Sequence, residues 1–309
     1  MVDIYSPSPD DHLSLDELEL YKLMMDYRAS LGLPDIPLSK SLTLVAGRHV
    51  LDTVENSKGY VGHNWSDAPY DSADSSTYPN MWDAPQRLGT PYTGSGFEIS
   101  TGYLGNAINL YDVTPQSALT NWQNSAPHND VITNGGPWTT PWMAIGVGMK
   151  DGVAHVWFGW DTDPGVPQIK GTNGKDKIVT TRFDDNIKAG KGDDVVKALG
   201  GDDSLRGMGG DDKMNGGPGA DLLIGGGGDD TMTGGGGPDR FVFNNRSGDD
   251  VVRGFKNGDV LDLRKTDADD FGDLAMSRQG DHTLIEFGNA SVLIVRTAPQ
   301  DLDASDFLF

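Results

Sequence analysis

An α+β layered unit followed by an all-β parallel roll with C-terminal capping strands is the fold that three features of this 309-residue sequence predict. Helical patterns come first and a β-rich hairpin comes last across residues 14–160, the order of an α+β layer. Eight nine-residue units then run from Gly171 to Val242 without an insertion. Between the two, 161–170 (DTDPGVPQIK) carries two prolines, a glycine and no periodicity, and reads as a linker.

Residues 1–13 read as a loose tail. Ser14 and Glu17 have the spacing of a capping box, and Leu20, Leu23, Met24, Tyr27 and Leu31 follow helical spacing, which predicts a helix over 14–31. A second helix, about 40–56, places Leu42, Val45, Ala46, His49, Val50 and Thr53 on one face. A third covers about 115–124, with Pro115 suited to its first turn. The runs WMAIGVGMK (142–150) and VAHVWFGW (153–160) are β-rich and meet at Asp151-Gly152, a tight-turn dipeptide. The long irregular stretch 57–114 is the kind of insertion that carries function.

In the nine-residue units the sixth position is always Asp: Asp176, Asp185, Asp194, Asp203, Asp212, Asp221, Asp230 and Asp239. The eighth is always apolar: Ile178, Ile187, Val196, Leu205, Met214, Leu223, Met232 and Phe241. The fourth is Gly in every unit except at Phe183. Glycines supply the positive φ of a sharp turn, and the last three residues form a short strand whose middle side chain points inward. Two units therefore make one turn of a flattened right-handed parallel roll. The pattern is similar to the G-G-x-G-x-D-x-U-x repeat of the calcium-binding RTX family. A disordered Gly/Asp linker has no reason to hold an acid and an apolar residue in phase for eight units.

Such a roll stacks Asp176, Asp194, Asp212 and Asp230 along one edge and Asp185, Asp203, Asp221 and Asp239 along the other. Neighbours one strand spacing apart, ~4.8 Å, repel by roughly 1 to 3 kcal/mol per pair. Ca²⁺ between successive turns reverses that balance, since it accepts six to eight oxygens and the turns offer carbonyls beside the carboxylates. Folding and calcium binding then become one reaction.

The formal net charge is −22, spread over both halves, with 20 acids against 8 bases in 1–170 and 26 against 16 in 171–309. An acidic surface on both halves argues against nucleic acid and anionic membranes as partners. Cysteine is absent, which removes disulfide and thiolate chemistry. The first twenty residues lack the basic and apolar regions of a Sec signal, and no apolar run is long enough to span a bilayer.

Downstream of the repeats, GDDVVRGF and GDVLDL read as short strands capping the roll, and HTLIEFGNASVLIVR (282–296) as a hairpin around Gly288-Asn289. The flank FVFNNRSGDDVVRGFKNGDVLDLR (241–264) and the final ASDFLF (304–309) resemble the C-terminal region and uncleaved signal of type I secretion substrates. That resemblance implies the type I apparatus as a partner and a Gram-negative secreted protein. Low cytosolic calcium would keep the roll unfolded for export, and external calcium would fold it at affinities of about 10⁻⁴ to 10⁻³ M.

In the N-terminal unit, YRASLGLPDIPLSKSLTLVAGRHVLD (27–52), GHNWSD (62–67), GFEIS (96–100), NWQNSAPHNDVI (121–132) and AIGVGMKDGVAHVWFG (144–159) resemble, in order, segments of the CAP superfamily of cysteine-rich secretory, antigen 5 and pathogenesis-related proteins. The resemblance implies an α-β-α sandwich over 14–160. It also implies a cavity with two histidines and two acids, able to hold zinc. By motif the histidines become His63 and His128, and one acid becomes Glu98. Thr120 stands where the second acid belongs, which weakens the case for a carboxylate acid/base pair. His63 and His128 each fall in polar, turn-prone sequence. His49, on the apolar face of its helix, reads as a packed core histidine, and His155 as a strand residue either at the surface or in the core. The aromatic clusters Tyr78–Trp82 and Trp138–Trp142 read as loop anchors or as the lining of a groove.

Three functions follow as expectations. The first is a secreted, calcium-folded protein whose CAP-like unit binds an extracellular lipid, glycan or protein. The second is a zinc-dependent hydrolase or peptidase using His63, His128 and Glu98. The third is a calcium-dependent matrix or adhesion protein.

Overall fold

The computed structural model describes residues 2–8, 11–56, 63, 65–68, 73–102 and 113–309. Parts of the 57–114 insertion, and Gly62 and Asn64 of GHNWSD, lie outside the described residues. The chain divides into two compact units, Met1–Pro167 and Gln168–Phe309.

The first unit opens with helix α1 (Leu15–Ser30), and its capping box between Ser14 and Glu17 is formed as expected. Helix α2 (Lys40–Glu55) starts at Ser39, whose hydroxyl accepts the Leu42 amide at 2.9 Å. Two short helices, α3 (Tyr78–Trp82) and α4 (Ala84–Arg87), precede strand β1 (Gly96–Gly102). Helices α5 (Pro115–Gln123) and α6 (Ala126–Thr133) follow, then β2 (Ala144–Lys150) and β3 (Val153–Gly159). These strands form an antiparallel sheet in the order β1-β3-β2, and the hairpin turns at Asp151 and Gly152, both at positive φ.

Helix α2 lies very close to this sheet. A Cβ on Gly146 would stand 2.0 Å from the Leu42 carbonyl carbon, and one on Gly148 would stand 2.5 Å from that of Ala46. The two glycines are what let the helix backbone approach the strands. On the same face, Leu42, Val45, Ala46, Trp65 and Trp157 make one buried cluster.

Two expectations change here. The described residues of 1–13 are not a loose tail: Ile4 and Leu13 are buried, and the Arg48 guanidinium donates to the Ile4 carbonyl at 3.0 Å. His128 lies in a helix rather than in a turn-prone stretch. Ser125 is the N-cap of α6, and Pro127 falls in its first turn, where a missing amide costs nothing.

The second unit is a parallel roll. One sheet has the order β18-β14-β12-β10-β8-β6-β4 and the other β15-β16-β17-β13-β11-β9-β7-β5. The strands are β4 (Gln168–Lys170), β5 (Lys177–Val179), β6 (Asn186–Lys191), β7 (Val195–Lys197), β8 (Ser204–Gly209), β9 (Lys213–Pro218), β10 (Leu222–Gly227), β11 (Thr231–Gly236), β12 (Arg240–Asn244), β13 (Asp249–Arg253), β14 (Val260–Lys265), β15 (Ala275–Gln279), β16 (His282–Phe287), β17 (Ala290–Val295) and β18 (Phe307–Leu308). Neighbours pair parallel at an offset of 18 residues, as in Ile187↔Leu205 and Met214↔Met232, so two nine-residue units make one turn. All eight eighth-position residues are buried in the interior.

The boundaries drawn from sequence move. The linker 161–170 ends early, because Gln168–Lys170 is the first strand and pairs with Asn186–Lys188. The 171–242 roll does not stop at Val242 with a separate cap at 243–309. Strands β13 and β14 continue the two sheets in parallel register, and β17 and β18 pair in parallel beyond them. Val252 and Leu261 prolong the inward apolar row, which explains why pairing continues. The hairpin at Gly288-Asn289 forms as β16 and β17.

Candidate functional sites

The roll edges come first. After the first of each row, where Asp176 and Asp185 accept the Thr172 and Thr181 amides, each sixth-position aspartate is held by the one before it. Oδ1 of Asp194, Asp212 and Asp230 accepts the backbone amide of Asp176, Asp194 and Asp212, each at 2.8 Å. On the other edge, Oδ1 of Asp203, Asp221 and Asp239 accepts the amide of Asp185, Asp203 and Asp221 at 2.8, 2.9 and 3.1 Å. The second oxygens are left over. Oδ2 of Asp194, Asp203, Asp212, Asp221 and Asp230 is buried without a hydrogen-bond partner.

A buried carboxylate oxygen without a donor is costly unless a cation meets it. The turn keeps space beside it: a Cβ on Gly225 would stand 2.1 Å from Asp230 Oδ2. Burial pushes these carboxyls up, to about 6 at Asp185, Asp212 and Asp221, about 7 at Asp230 and about 8 at Asp203. Stacked, partly unsatisfied oxygens beside turn carbonyls are the donor set of a hard, oxygen-seeking divalent ion, and the residues fit calcium.

Two sets of acids escaped the sequence reading. Asp250 and Asp259 continue the two rows, with Oδ1 accepting the Asp230 and Asp239 amides at 2.9 and 3.0 Å. Their offset is 20 residues rather than 18, so a strict nine-residue period misses them; a Gly-x-Asp or Gly-Asp step ahead of an apolar residue was the available signal. The fifth-position aspartates form exposed outer rows. Asp184 Oδ1 accepts the Asp202 amide at 2.7 Å, and Asp211 Oδ1 accepts that of Asp229 at 2.9 Å.

The other site lies in the first unit and is built on Glu98. In the sheet Glu98 is directly opposite Trp157, and His155 is opposite Ser100, so the three share a face with Gly146 and Gly148. That face lies under α2, which adds His49 and Thr53. Glu98 Oε1 accepts from His49 Nδ1 at 2.5 Å, His155 Nδ1 at 2.8 Å and Trp157 Nε1 at 2.7 Å. Glu98, His49 and His155 are fully buried. Thr53 Oγ1 is 3.2 Å from His155 Nε2, and the His49 ring stacks on Trp65 at 4.2 Å. Burial alone would raise the Glu98 carboxyl, but the imidazoles of His49 and His155 outweigh it and hold it well below the usual carboxylate range. Burial pushes His155 down to about 4, so it is neutral.

The second oxygen, Oε2, accepts from His63 Nδ1 at 3.0 Å. An ionised carboxylate only accepts, which places the proton on Nδ1 and leaves His63 Nε2 as the basic nitrogen. A cavity of about 470 Å³ is lined by His63, Phe97, Glu98, His128, Asp130 and Trp138 among others. His63, Glu98 and His128 therefore line one cavity. His128 does not touch Glu98 through any described hydrogen bond; its Nδ1 is paired with Ser125 Oγ at 2.8 Å. Burial first, and the nearby His63 second, lower its pKa. Thr120, in the place of the second acid, is exposed and donates to the Gln116 carbonyl at 2.8 Å.

His49 is packed as its helical spacing implies, and it is also a polar partner of Glu98. His155 is core. The three ligand atoms of His49, Glu98 and His155 lie within 4.8 Å of one another, a buried metal-capable set that the sequence did not point to. The aromatic clusters divide. Trp138 lines the cavity and packs on Phe97 at 4.1 Å, and Trp142 and Trp160 extend the shelf at 5.2 Å from each other. Tyr78 and Trp82 pair with each other in α3 at 5.4 Å.

Comparison with known proteins matches the roll. Residues 170–205 and 206–241 match the family model of the RTX calcium-binding nonapeptide repeat. No curated protein matches the chain. Among solved structures, the extracellular lipase LipA from Serratia marcescens is similar over 48% of this chain and 41% of that one, at 17% identity and a TM-score of 0.27. The AlgE6R3 subunit of the Azotobacter vinelandii mannuronan C5-epimerase is similar over 45% of this chain and 80% of its own, at 24% identity and a TM-score of 0.23. The chain thus carries RTX calcium-binding repeats. Among the described residues no helix is long and apolar enough to cross a membrane.

Proposed function

We propose that the chain is a secreted protein that folds in external calcium, with the roll serving export and stability and a CAP-like first unit acting as an extracellular binding module. The observation that carries the calcium part is the pair of aspartate rows in which the buried Oδ2 atoms of Asp194, Asp203, Asp212, Asp221 and Asp230 have no donor. The first unit contributes a cavity with an aromatic wall of Phe97 and Trp138, suited to an apolar or sugar-ring ligand. Type I export is part of this reading, through the resemblance of the C-terminal region. Limited trypsin digestion tests the calcium part: fragments containing 168–309 survive in millimolar Ca²⁺ and are degraded in EGTA. Equal survival in both would contradict it.

A second reading, zinc-dependent hydrolysis, is favoured by one observation: His63, Glu98 and His128 line the same cavity. On it, His63 Nε2 and His128 would hold the ion, which would supply a Lewis acid, and Glu98 would anchor His63. Against it stand Thr120 and the closure of Glu98 Oε1 by three N–H donors. Calorimetric zinc titration of the full chain beside His128→Ala decides: micromolar binding lost in the variant supports the hydrolase, and no heat in either leaves the binding module.

A further inference from the structure

The two buried aspartate rows end differently. On one edge, Asp176, Asp194, Asp212 and Asp230 lead to Asp250, which is 2% exposed. Asp250 Oδ1 accepts the Asp230 amide, and its Oδ2 is buried without a partner, like those of Asp194, Asp212 and Asp230 before it. The residue three before Asp250 is Ser247, neutral, with its hydroxyl accepting the Asn244 amide at 2.9 Å.

On the other edge, Asp185, Asp203, Asp221 and Asp239 lead to Asp259, and the residue three before Asp259 is Lys256. Residues 256–259 form a turn, with the Asp259 amide donating to the Lys256 carbonyl at 3.0 Å and the Lys256 amide donating to Asp259 Oδ2 at 3.0 Å. The side chain then runs back along the edge. Its Nζ lies 2.6 Å from the Gly235 carbonyl oxygen, 3.4 Å from Asp239 Oδ2 and 3.4 Å from Asp259 Oδ1. One turn carbonyl and carboxylates from two successive turns surround it, the oxygen types that a calcium ion between turns would take. Asp239 and Asp259 are almost wholly buried while the lysine side chain is 40% exposed, so the charged end dips into the row and the stem stays at the surface.

We infer that Lys256 is a tethered cation standing in for the last calcium of its row, between Asp239 and Asp259, whereas the equivalent place on the opposite edge, between Asp230 and Asp250, is a further calcium site outside the nine-residue repeats. A primary ammonium offers one charge and three donors where Ca²⁺ offers two charges, so it closes the row without depending on external calcium. The closed end lies at the C-terminal side of the roll. The inference rests on the calcium reading of the repeats.

The test is the calcium count of the full chain, by equilibrium dialysis against saturating Ca²⁺ and elemental analysis. Lys256→Met binds one ion more than the wild type, Asp250→Asn binds one fewer, and the double variant returns to the wild-type count. Lys256→Arg, which keeps a cation, leaves the count unchanged. An unchanged count in Lys256→Met or in Asp250→Asn overturns the inference while leaving the repeats as calcium sites. A wild-type chain that retains no calcium overturns the calcium reading of the repeats themselves. Far-UV circular dichroism in calcium qualifies each variant as folded, and because the two substitutions lie on opposite edges, each tests its own edge independently of the other.

Discussion

Glu98 keeps a negative charge where water does not reach, and it does so because three N–H groups converge on one of its oxygens. Exchange for the isosteric amide turns one accepting oxygen, or its partner, into a donor facing donors. Glu98→Gln is therefore expected to destabilise the first unit by about 3 kcal/mol, the scale of breaking a buried charged network. Denaturant unfolding followed by tryptophan fluorescence reads this directly, since all seven tryptophans fall between Trp65 and Trp160. A change below the scatter of surface substitutions would mean the network is not formed.

The roll aspartates behave in the opposite sense. Their carboxyls are pushed up by burial, to between about 6 and about 8 at Asp185, Asp203, Asp212, Asp221, Asp230 and Asp250. An unfolded Asp titrates near ~3.9. The folded, metal-free roll thus holds protons that the unfolded chain has released. The stability this contributes is fully present below about pH 4 and is lost as pH rises through 6 to 8. In EGTA the β signal should be larger at pH 5 than at pH 8, whereas calcium affinity should rise over the same interval because the ion displaces those protons. A pH-independent spectrum in EGTA would contradict both statements.

Among the elements, α2 on β2 and β3 shows most clearly what local pattern decides. The helix was legible from Leu42, Val45, Ala46 and Val50, and the hairpin from Asp151-Gly152. The reason for Gly146 and Gly148 was not, because close approach of a helix backbone leaves no mark in a strand's own alternation. Gly146→Ala drives a methyl into the Leu42 carbonyl carbon, 2.0 Å away, and should cost about 1 to 3 kcal/mol. Thermal unfolding of the first unit tests this; an unchanged midpoint would mean that α2 sits further from the sheet. Strand β1 escaped notice for a related reason: it alternates Phe97 and Ile99 with Glu98 and Ser100, but Glu98 and Ile99 are both fully buried while Phe97 and Ser100 are half-buried, so a polar residue occupies a core position. Helix α6 was hidden by its length and by the polar residues of SAPHND, although Ser125 and Pro127 mark its start. The sixth and eighth positions of the repeats were legible because position fixes chemistry there, whereas the fifth-position aspartates, a series interrupted at Ala220, were not. The rows were cut short at Asp239 only because two extra residues in each later turn, as at 244–247, break the period.

For the whole molecule, a net charge of −22 and buried carboxylate rows make calcium the missing partner of the fold. The interior of the roll is thin, with one large apolar residue from each strand through most of the repeats, and Phe243, Val252, Leu261, Ile285, Val292 and Ile294 enlarge it at the C-terminal end. Apolar burial alone then competes poorly with the repulsion along the edges. The first unit has its own core. Calcium should change the roll while leaving the tryptophan emission of the first unit nearly constant. The most direct measurement is far-UV circular dichroism of the full chain at pH 7.5, from EGTA to millimolar Ca²⁺, beside an equal titration with Mg²⁺, whose octahedral demand suits the rows poorly. A gain of β signal with calcium and none with magnesium is the expected result. A full β signal in EGTA, unmoved by calcium, would contradict it.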